Sequence, residues 1–412
     1  MQTTLTQSLL QTRSGREADD ILRNCVHCGF CNATCPTYQL TGDELDGPRG
    51  RIYLIKQVLE GSTPTHRTRL HLDRCLTCRA CETTCPSGVD YHRLLDTGRE
   101  LVERHVPRNT AQRLLRLLLR KVLPYPGRFG PLLRTGQLLR PLLPGQLKKR
   151  VPARRKPGPR ARPARPSTRR VLLPEGCVQP VLAPQINQAV RRVLAALGIE
   201  VFTTGNGGCC GALSHHLGAP GEARKFMRAN IDAWWPAIED GAEAIVITAT
   251  GCAPMVKDYA RLLADDPDYA GKAARVSELA RDLSEILAAE RPQRVVTRAG
   301  GYRKIAFHSP CTLQHAQQLG GTVERLLTGL GYELLPVADA HLCCGSAGTY
   351  SILQPELAGR LRDAKLAALQ ADGPELIATA NIGCLLHLAG NADVPVVHWI
   401  ELLETPTTET RS

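Results

Sequence analysis

Two runs of cysteines near the start of the chain have the spacing of metal ligands. The first run is Cys25, Cys28, Cys31 and Cys35 before Pro36, and the second is Cys75, Cys78, Cys81 and Cys85 before Pro86. Both runs read C-x2-C-x2-C-x3-C-P. Three thiolates at this spacing can wrap the backbone around one corner of an iron–sulfur cube, while the fourth iron needs a ligand from elsewhere. The runs therefore predict two [4Fe–4S] clusters.

The spacing resembles that of bacterial two-cluster ferredoxins, in which the cysteine before the proline ligates the other cluster. The resemblance implies a first ferredoxin set of ligands made of Cys25, Cys28, Cys31 and Cys85. It implies a second ferredoxin set made of Cys75, Cys78, Cys81 and Cys35. Zinc and a disulfide framework are the alternatives, but structural zinc takes four ligands in two separated pairs rather than two packed quartets.

Eight further cysteines form an internal repeat in the second half of the chain. Each unit has a single cysteine, a vicinal pair followed by glycine, and a Gly-Cys dipeptide. These residues are Cys177, Cys209, Cys210 and Cys252 in the first unit, and Cys311, Cys343, Cys344 and Cys384 in the second. The offset between the units is 134 residues at the single cysteine and the pair, and 132 at the last cysteine. A repeat this regular predicts two units of one architecture.

Short β-rich runs alternate with helical patterns in both units. The predicted strands are 171–173, 200–202 and 244–247 in the first unit, and 304–307, 332–335 and 376–378 in the second. The predicted helices include 186–197, 221–238, 322–330 and 356–371. This alternation predicts parallel sheets with both faces covered. Because every cysteine position follows a predicted strand, four thiolates per unit converge at the carboxyl edge, where open α/β sheets place ligand sites.

We favour a metal site in each unit, with iron–sulfur ahead of zinc because of the neighbouring clusters. The alternative is buried structural cysteine, which is common, although equal offsets in both units argue against chance. The glycine beside each vicinal pair would let the backbone approach a cluster closely. His308, His315 and His387 lie near these cysteines, and each either ligates or tunes a metal or is an ordinary hydrogen-bonded histidine. For any single one, the ordinary role is favoured.

Helical patterns surround the first two cysteine runs. Residues 17–24 and 48–59 are predicted to be helices, and residues 66–74 lead into the second run, which indicates an all-helical domain with a long insert between the runs. Within the insert, Arg49 and Arg51 are either neighbours of the clusters or ordinary surface arginines.

The strongly basic part of the chain is confined to residues 104–170. This segment carries 20 Lys and Arg and no Asp or Glu, whereas the net charge of the whole chain is +13. Residues 111–123 form a basic amphipathic pattern with Arg113, Arg116 and Arg120 on one side. Such a helix suits an anionic membrane surface, the ferredoxin domain or a partner subunit. Residues 144–170 are predicted to be a linker rich in Pro and Arg, and no nucleic-acid-binding module is recognisable.

The composition indicates a reducing compartment. The first twenty residues lack the apolar run of a signal peptide, and no stretch reaches the roughly 18 apolar residues needed to span a bilayer. Sixteen cysteines in such a chain indicate metal ligation and argue against disulfides. We expect a cytoplasmic protein with four parts: 1–105, a helical two-cluster ferredoxin domain; 106–170, the basic helix and linker; and two cysteine-rich domains, 171–295 and 296–405.

The repeat units resemble the cysteine-rich CCG domains of heterodisulfide-reductase-type proteins. The join of a two-cluster ferredoxin to two CCG domains resembles the iron–sulfur subunits of flavin dehydrogenases for glycolate, glycerol 3-phosphate and D-lactate. More narrowly, four stretches resemble the iron–sulfur subunits of bacterial glycolate oxidases: 25–31, 42–61, 71–78 and 343–350. One departure is that the full CCG motif ends in C-x-x-C, whereas Met255 and His387 occupy the last position here. Each unit thus lacks the fifth thiolate of the non-cubane clusters, which argues against disulfide cleavage.

The resemblance implies the electron-transfer subunit of an acceptor-dependent glycolate dehydrogenase. Partner subunits with FAD would oxidise glycolate to glyoxylate, or D-lactate to pyruvate, and this chain would pass electrons towards a membrane quinone. It implies a peripheral location at the inner face of the cell membrane. No Rossmann G-x-G-x-x-G follows a predicted strand, so the flavin and substrate sites are expected on the partners, and no catalytic residue is expected here. The alternatives are the equivalent subunit for glycerol 3-phosphate or D-lactate, and a disulfide reductase.

Overall fold

The computed structural model describes residues 1–145, 148, 151–154, 168–202, 204 and 207–405. Of the predicted linker 144–170, residues 146, 147, 149, 150 and 155–167 lie outside the described residues. Across the described ranges, no helix combines the length and apolar character that crossing a membrane requires.

The first part of the chain is helical, as the sequence predicts. Its helices are α1 (Gln7–Leu10), α2 (Arg13–Asn24), α3 (Pro36–Thr41), α4 (Pro48–Leu59), α5 (His66–Asp73), α6 (Ala80–Thr84) and α7 (Tyr91–His105). Short 3-10 turns lie at Phe30–Asn32 and Glu44–Asp46. Prolines begin α3 and α4, where a missing N–H costs nothing. Helix α7, which the sequence analysis missed, packs against α2, α4 and α5 and completes the core around Ile55 and Leu94.

Two amphipathic helices follow the ferredoxin domain. They are α8 (Thr110–Val122) and α9 (Pro126–Leu139), and a 3-10 turn at Arg140–Leu142 ends the pair. The Asn109 side chain accepts a hydrogen bond from the backbone N–H of Gln112 and so caps the start of α8. Helix α8 matches the basic pattern predicted over 111–123.

Two four-stranded parallel sheets follow, one in each repeat unit. The strands are β1 (Arg170–Leu172), β2 (Glu200–Phe202), β3 (Ala244–Ile247), β4 (Ala280–Asp282), β6 (Lys304–His308), β7 (Glu333–Leu335), β8 (Leu376–Thr379) and β9 (Val396–His398). The strand order is β2-β1-β3-β4 in the first unit and β7-β6-β8-β9 in the second, so the topology repeats strand for strand. A short antiparallel pair, β5 (Thr297–Arg298) and β10 (Leu403–Glu404), lies beside the second sheet.

Helices cover both sheets. In the first unit they are α10 (Gln179–Leu182), α11 (Pro184–Ala196), α12 (Ala212–His216), α13 (Pro220–Glu239), α14 (Ala253–Lys257), α15 (Tyr259–Leu262), α16 (Ala270–Leu279) and α17 (Leu283–Glu290). In the second unit they are α18 (Cys311–Gln314), α19 (Thr322–Gly329), α20 (Tyr350–Leu353), α21 (Pro355–Gln370) and α22 (Ile382–Ala389). Further 3-10 turns lie at Pro292–Arg294 and Trp399–Leu402. The predicted class, a helical ferredoxin domain joined to a repeated α/β pair, is confirmed.

The two units share one hydrophobic core. Buried residues of both sheets, including Val171 and Ile305, belong to a single apolar cluster. Polar bonds also cross between the units: the hydroxyls of Thr250 and Thr312 lie 3.0 Å apart, and the ring of His398 lies 3.2 Å from the Thr248 carbonyl oxygen. The two units therefore pack together through apolar and polar contacts.

The ferredoxin domain contacts both units. In the first unit, His215 at the end of α12 makes a 2.9 Å ion pair with Asp96 of α7. Burial alone would lower the pKa of His215, but the Asp96 carboxylate raises it above its usual value. Against the second unit, Leu76 and Cys78 pack in one apolar cluster with Cys343 and its neighbours. The bounds of the four predicted parts stay a prediction, since these contacts do not define where one domain ends.

Candidate metal centres

The two cysteine runs of the ferredoxin domain wind in the same way. Two residues after the first cysteine of each run, His27 and Thr77 have φ values of 58° and 54°. Four residues after it, Gly29 and Arg79 have φ values of 87° and 64°. Left-handed backbone is uncommon for residues other than glycine and clusters at functional sites. The repeated conformation turns the three thiols of each run towards one point.

The first ferredoxin set lies around one cleft. Cys25, Cys28 and Cys31 line it together with Cys85 from the second run, and the cleft encloses about 440 Å³ including its open mouth. Burial, with the nearby thiols of Cys25, Cys85 and Cys28, raises the pKa of Cys31 to about 12. Thiols this reluctant to ionise become thiolates when a cation is bound. The residues thus fit a cluster, and the structure brings together the crossed set that the ferredoxin pattern implies.

The second ferredoxin set is more deeply buried. Burial raises the pKa of Cys78 and of Cys81, and the nearby thiols of Cys35 and Cys75 raise both further. The backbone N–H of Thr77 donates to the Cys75 sulfur at 3.4 Å, and the Tyr91 hydroxyl lies 3.7 Å from the same sulfur. Bonds of this kind stabilise a thiolate and tune a cluster. Ligation itself stays a prediction for both ferredoxin sets.

Arg51 and Arg49, which the sequence left undecided, both lie beside these cysteines. Arg51 is fully buried, and its guanidinium lies 4.0 Å from the Cys35 sulfur and 3.6 Å from the Asp46 carboxylate. Burial alone would lower the pKa of Arg51, but the charges of Cys75, Cys35 and Asp46 keep it raised. Arg49 lies at the rim of the first cleft, paired with Glu44 at 2.6 Å.

The four cysteines of the first unit form a chain of contacting thiols. The thiol of Cys177 is hydrogen-bonded to Cys209, and that of Cys210 to Cys209 and Cys252, and all four cysteines are free. The bonds from Cys177 and Cys210 lower the pKa of Cys209, and the Gly211 N–H also donates to its sulfur at 3.4 Å. A cleft lined by three of the four cysteines opens beside them. The thiols therefore converge at the carboxyl edge as predicted.

The second unit repeats the chain of thiols and adds other groups. The sulfurs of Cys311 and Cys343 lie 3.8 Å apart, and the free thiol of Cys344 is hydrogen-bonded to Cys343 and Cys384. The Gly345 N–H donates to the Cys343 sulfur at 3.4 Å. Lys365, almost fully buried, faces these thiols: its own burial lowers its pKa, while their charges raise it. A positive charge held here favours thiolates.

The three candidate histidines of the second unit have different surroundings. His315 uses both ring nitrogens, contacting the Thr83 hydroxyl at 2.8 Å and the His341 carbonyl oxygen at 2.8 Å. His387, at the position of the missing fifth cysteine, contacts the Ala358 carbonyl oxygen at 3.2 Å. A ring nitrogen of His308 lies within 4.8 Å of the sulfurs of both Cys344 and Cys384. Burial lowers the pKa of His308 to about 3.

The glycine after each vicinal pair has a structural reason that differs from the predicted one. Gly211 and Gly345 have φ values of 91° and 87°. A Cβ on Gly345 would lie 2.7 Å from the Ala358 carbonyl oxygen and 2.8 Å from the Leu361 Cβ. Helix α21 thus packs directly on the glycine. The small residue permits a left-handed turn and close helix packing, and these hold the thiols at the sheet edge.

We expect Gly345→Ala to destabilise the protein by more than about 2 kcal/mol, since strained backbone and a clash with α21 add together. Gly348→Ala is the matched control, because Gly348 has a φ of 62° but an added Cβ would meet nothing within 4 Å. The control should lose only about 1 kcal/mol. Chemical denaturation of both variants measures the difference, and equal losses would show that helix packing does not matter here.

The cysteine sets lie in a contiguous row. Burial and the nearby thiol of Cys311 raise the pKa of Cys78 in the second ferredoxin set. Cys78 in turn contributes to the raised pKa of Cys343. Between the units, the Asn381 side chain donates to the Cys384 sulfur at 3.4 Å and accepts from the N–H of Gly251 at 3.2 Å, next to Cys252. No spacing in the sequence predicts this order, because it depends on how the domains dock.

Comparisons with known proteins identify both the ferredoxin domain and the repeat units. Residues 21–89 match the 4Fe-4S dicluster domain family, and residues 171–257 and 305–389 match the cysteine-rich CCG domain family. The glycolate oxidase iron-sulfur subunit of Escherichia coli K12 is 56% identical over 98% of each chain. The chain belongs to the family of glycolate oxidase iron–sulfur subunits. A probable glycolate oxidase iron-sulfur subunit of Bacillus subtilis is 31% identical, covering 89% of this chain and 88% of that one.

As a glycolate oxidase iron–sulfur subunit by family, the chain is an iron–sulfur protein and an electron-transfer component of an oxidoreductase. A hypothetical protein from Helicobacter pylori has a similar solved structure, with a TM-score of 0.54 and 10% identity over 94% of this chain and 71% of that one. At that identity the likeness shows the fold alone. It supports one architecture for ferredoxin domain and repeat together.

Proposed function

We propose that this chain is the electron-transfer subunit of an acceptor-dependent glycolate dehydrogenase. Its relative in E. coli is a glycolate oxidase iron-sulfur subunit, and FAD-containing partner subunits would oxidise glycolate to glyoxylate, with D-lactate to pyruvate as a further reaction. When bound, the clusters carry one electron at a time between a partner's flavin and an acceptor. The observation that carries the proposal is the contiguous row of cysteine sets from an open cleft to the repeat units.

Electrons enter this chain at the first ferredoxin set. Cys28 is exposed, and the apolar side chains of Val26 and Phe30 beside it are 68% and 62% exposed. Large apolar side chains exposed together mark interaction surfaces. The flavin partner docks here, because the other cysteine sets lie deeper in the protein.

The substrate is tested with the assembled complex under anaerobic conditions. Glycolate should bleach the visible absorbance of the clusters within one turnover, and D-lactate should do so more slowly. Bleaching by glycerol 3-phosphate or D-lactate without bleaching by glycolate would assign the chain to another dehydrogenase of this type. Release of thiols from a disulfide by the isolated reduced chain would favour a disulfide reductase.

The complex binds the inner face of the cell membrane through α8 and α9. Two arginines of α8 are turned inward, where Arg116 contacts Asp73 at 3.2 Å and Arg120 contacts Glu222 at 3.5 Å. The exposed side of the helix pair mixes the basic residues Arg113, Lys121, Arg128 and Arg134 with eight leucines: Leu114, Leu115, Leu117, Leu118, Leu132, Leu138, Leu139 and Leu142. Leucines and basic side chains exposed together suit insertion into an anionic lipid surface.

A membrane quinone is the acceptor in this proposal, and the first repeat unit is the place from which it is reduced. Helix α9 packs against α10, which begins two residues after Cys177. The first-unit thiols therefore lie close to the leucine surface. Exposed basic side chains within residues 104–170, including Arg113, Arg128 and Arg134, supply attraction to anionic lipids.

Replacing Leu114, Leu117 and Leu118 together with Gln should release the complex from membranes. Each leucine buried in lipid contributes on the order of 1 kcal/mol or more, so binding to anionic vesicles should fall at least about tenfold. Leu10→Gln is the control, since Leu10 is exposed but lies outside this surface. Flotation of the complex with vesicles measures the effect. Unchanged flotation, or loss of the flavin partner instead, would reassign the surface to protein contact.

A further inference from the structure

His308 and Thr379 meet at the carboxyl edge of the second sheet. They are the last residues of β6 and β8, and they face each other in the register of these parallel strands. Both side chains are fully buried, and the His308 Nδ1 lies 2.9 Å from the Thr379 hydroxyl oxygen. This contact fixes the ring and, with the proton on Nδ1, leaves the lone pair on Nε2.

The other ring nitrogen of His308 has no hydrogen-bond partner among the residues that the structure describes. A buried polar atom without a partner is costly and needs an explanation. The imidazole lies in a group with Cys344 and Cys384 whose ligand atoms are all within 4.8 Å of one another. Since Nδ1 is engaged by Thr379, Nε2 is the nitrogen available to this group.

The first unit has nothing equivalent. Three residues before its first cysteine stands Pro174, where the second unit has His308, and five residues before its last cysteine stands Ile247, where the second unit has Thr379. Both members of the polar pair are thus replaced by residues that cannot ligate. Both units have the four cysteines, but only the second has a histidine at this position.

We propose that the iron–sulfur centre of the second unit is bound by the Nε2 of His308 together with the thiolates of that unit, whereas the first unit offers thiolates alone. The thiolates nearest to this imidazole are those of Cys344 and Cys384, whose ligand atoms lie within 4.8 Å of it. Iron–sulfur centres accept histidine in place of cysteine, and the exchange raises the reduction potential.

The mixed ligation matters because of where the second unit lies. Cys343 of this unit packs in one apolar cluster with Cys78 of the second ferredoxin set, so its centre receives electrons directly from the ferredoxin domain. A higher potential at this position makes that transfer downhill. The inference rests on the proposed function for the identity of the metal, and it adds a ligand and an order of potentials to that role.

The test uses the complete complex, purified anaerobically from cells grown with ¹⁵N-labelled histidine. Electron–nuclear double resonance of the reduced clusters should show a directly coupled histidine nitrogen. His308→Ala should lose this coupling, and His387→Ala should keep it, because His387 already contacts a carbonyl oxygen. His308→Cys restores a donor of another kind, so its cluster should return without nitrogen coupling and at a lower potential.

Three results would overturn the proposal: no histidine nitrogen coupling in the native complex, coupling that survives in His308→Ala, or zinc in place of iron in the second unit. If His308→Ala does not fold, His308→Cys decides the matter through the same coupling. Failure here leaves the proposed function standing, because glycolate can still reduce the ferredoxin clusters. If glycolate reduces no cluster, the proposed function is wrong. The histidine nitrogen coupling can then still be measured after reducing the clusters with dithionite.

Discussion

Cys85→Ser is expected to alter the cluster of the first run and to abolish electron transfer to the acceptor. Cys85 belongs to the second run in sequence, yet it lines the cleft of Cys25, Cys28 and Cys31. Losing one thiolate of four exposes an iron to solvent and makes the cluster labile or lowers its iron content. Reduction of the partner flavin by glycolate should remain intact, since no flavin site is expected on this chain.

Two single-run variants provide matched controls for this assignment. If the ligation is crossed, the low-temperature EPR spectrum of Cys85→Ser should resemble that of Cys28→Ser and differ from that of Cys78→Ser. Uncrossed ligation predicts the opposite similarity. Unchanged acceptor-linked turnover in Cys85→Ser would contradict the relay itself.

Arg51→Met is expected to lower both the free energy of unfolding and the potential of the second ferredoxin cluster. Arg51 donates to the His71 carbonyl oxygen at 2.7 Å and lies 3.6 Å from the buried carboxylate of Asp46. Removing one partner of a buried ion pair typically costs about 3 to 5 kcal/mol, although His71 and Arg74 still contact Asp46 and reduce this loss. The lost positive charge near Cys35 also makes the reduced cluster less favourable.

Two further variants separate charge from packing. Arg51→Lys keeps the charge but not the planar fork, so the potential should stay close to the native value while stability falls. Arg49→Gln removes a charge whose side chain is 37% exposed, and stability should change by no more than about 0.5 kcal/mol. Redox titration and chemical denaturation measure these effects. A native potential in Arg51→Met would show that this guanidinium does not tune the cluster.

Patterns carried within one element could be predicted from the sequence. The periodic run after Pro48 gave the helix Pro48–Leu59, and β-branched runs gave the strands at 200–202 and 244–247. The cysteine repeat predicted two units of one topology, because equal spacing requires equal connections. Strands β4 and β9 were missed, and β4 reads Ala-Arg-Asp, which has no apolar run to mark it as a strand.

Features that depend on docking could not be predicted. Cys78 and Cys343 pack in one apolar cluster although they are more than two hundred positions apart, and this packing follows from how the ferredoxin domain docks on the second unit. The inward turn of Arg116 was missed as well, because its partner Asp73 lies in another helix. The sequence named His308 as one of three candidate histidines, and aligning the two units, which places it opposite Pro174, could have singled it out.

The most direct test of the central claim is low-temperature EPR of the assembled complex, frozen after one anaerobic addition of glycolate. The account predicts reduced-cluster signals from this chain in the native complex, with the signal of the first ferredoxin set altered in Cys85→Ser. It also predicts that the signals disappear when a quinone is added. A complex whose flavin is reduced by glycolate while every cluster of this chain stays oxidised would contradict it.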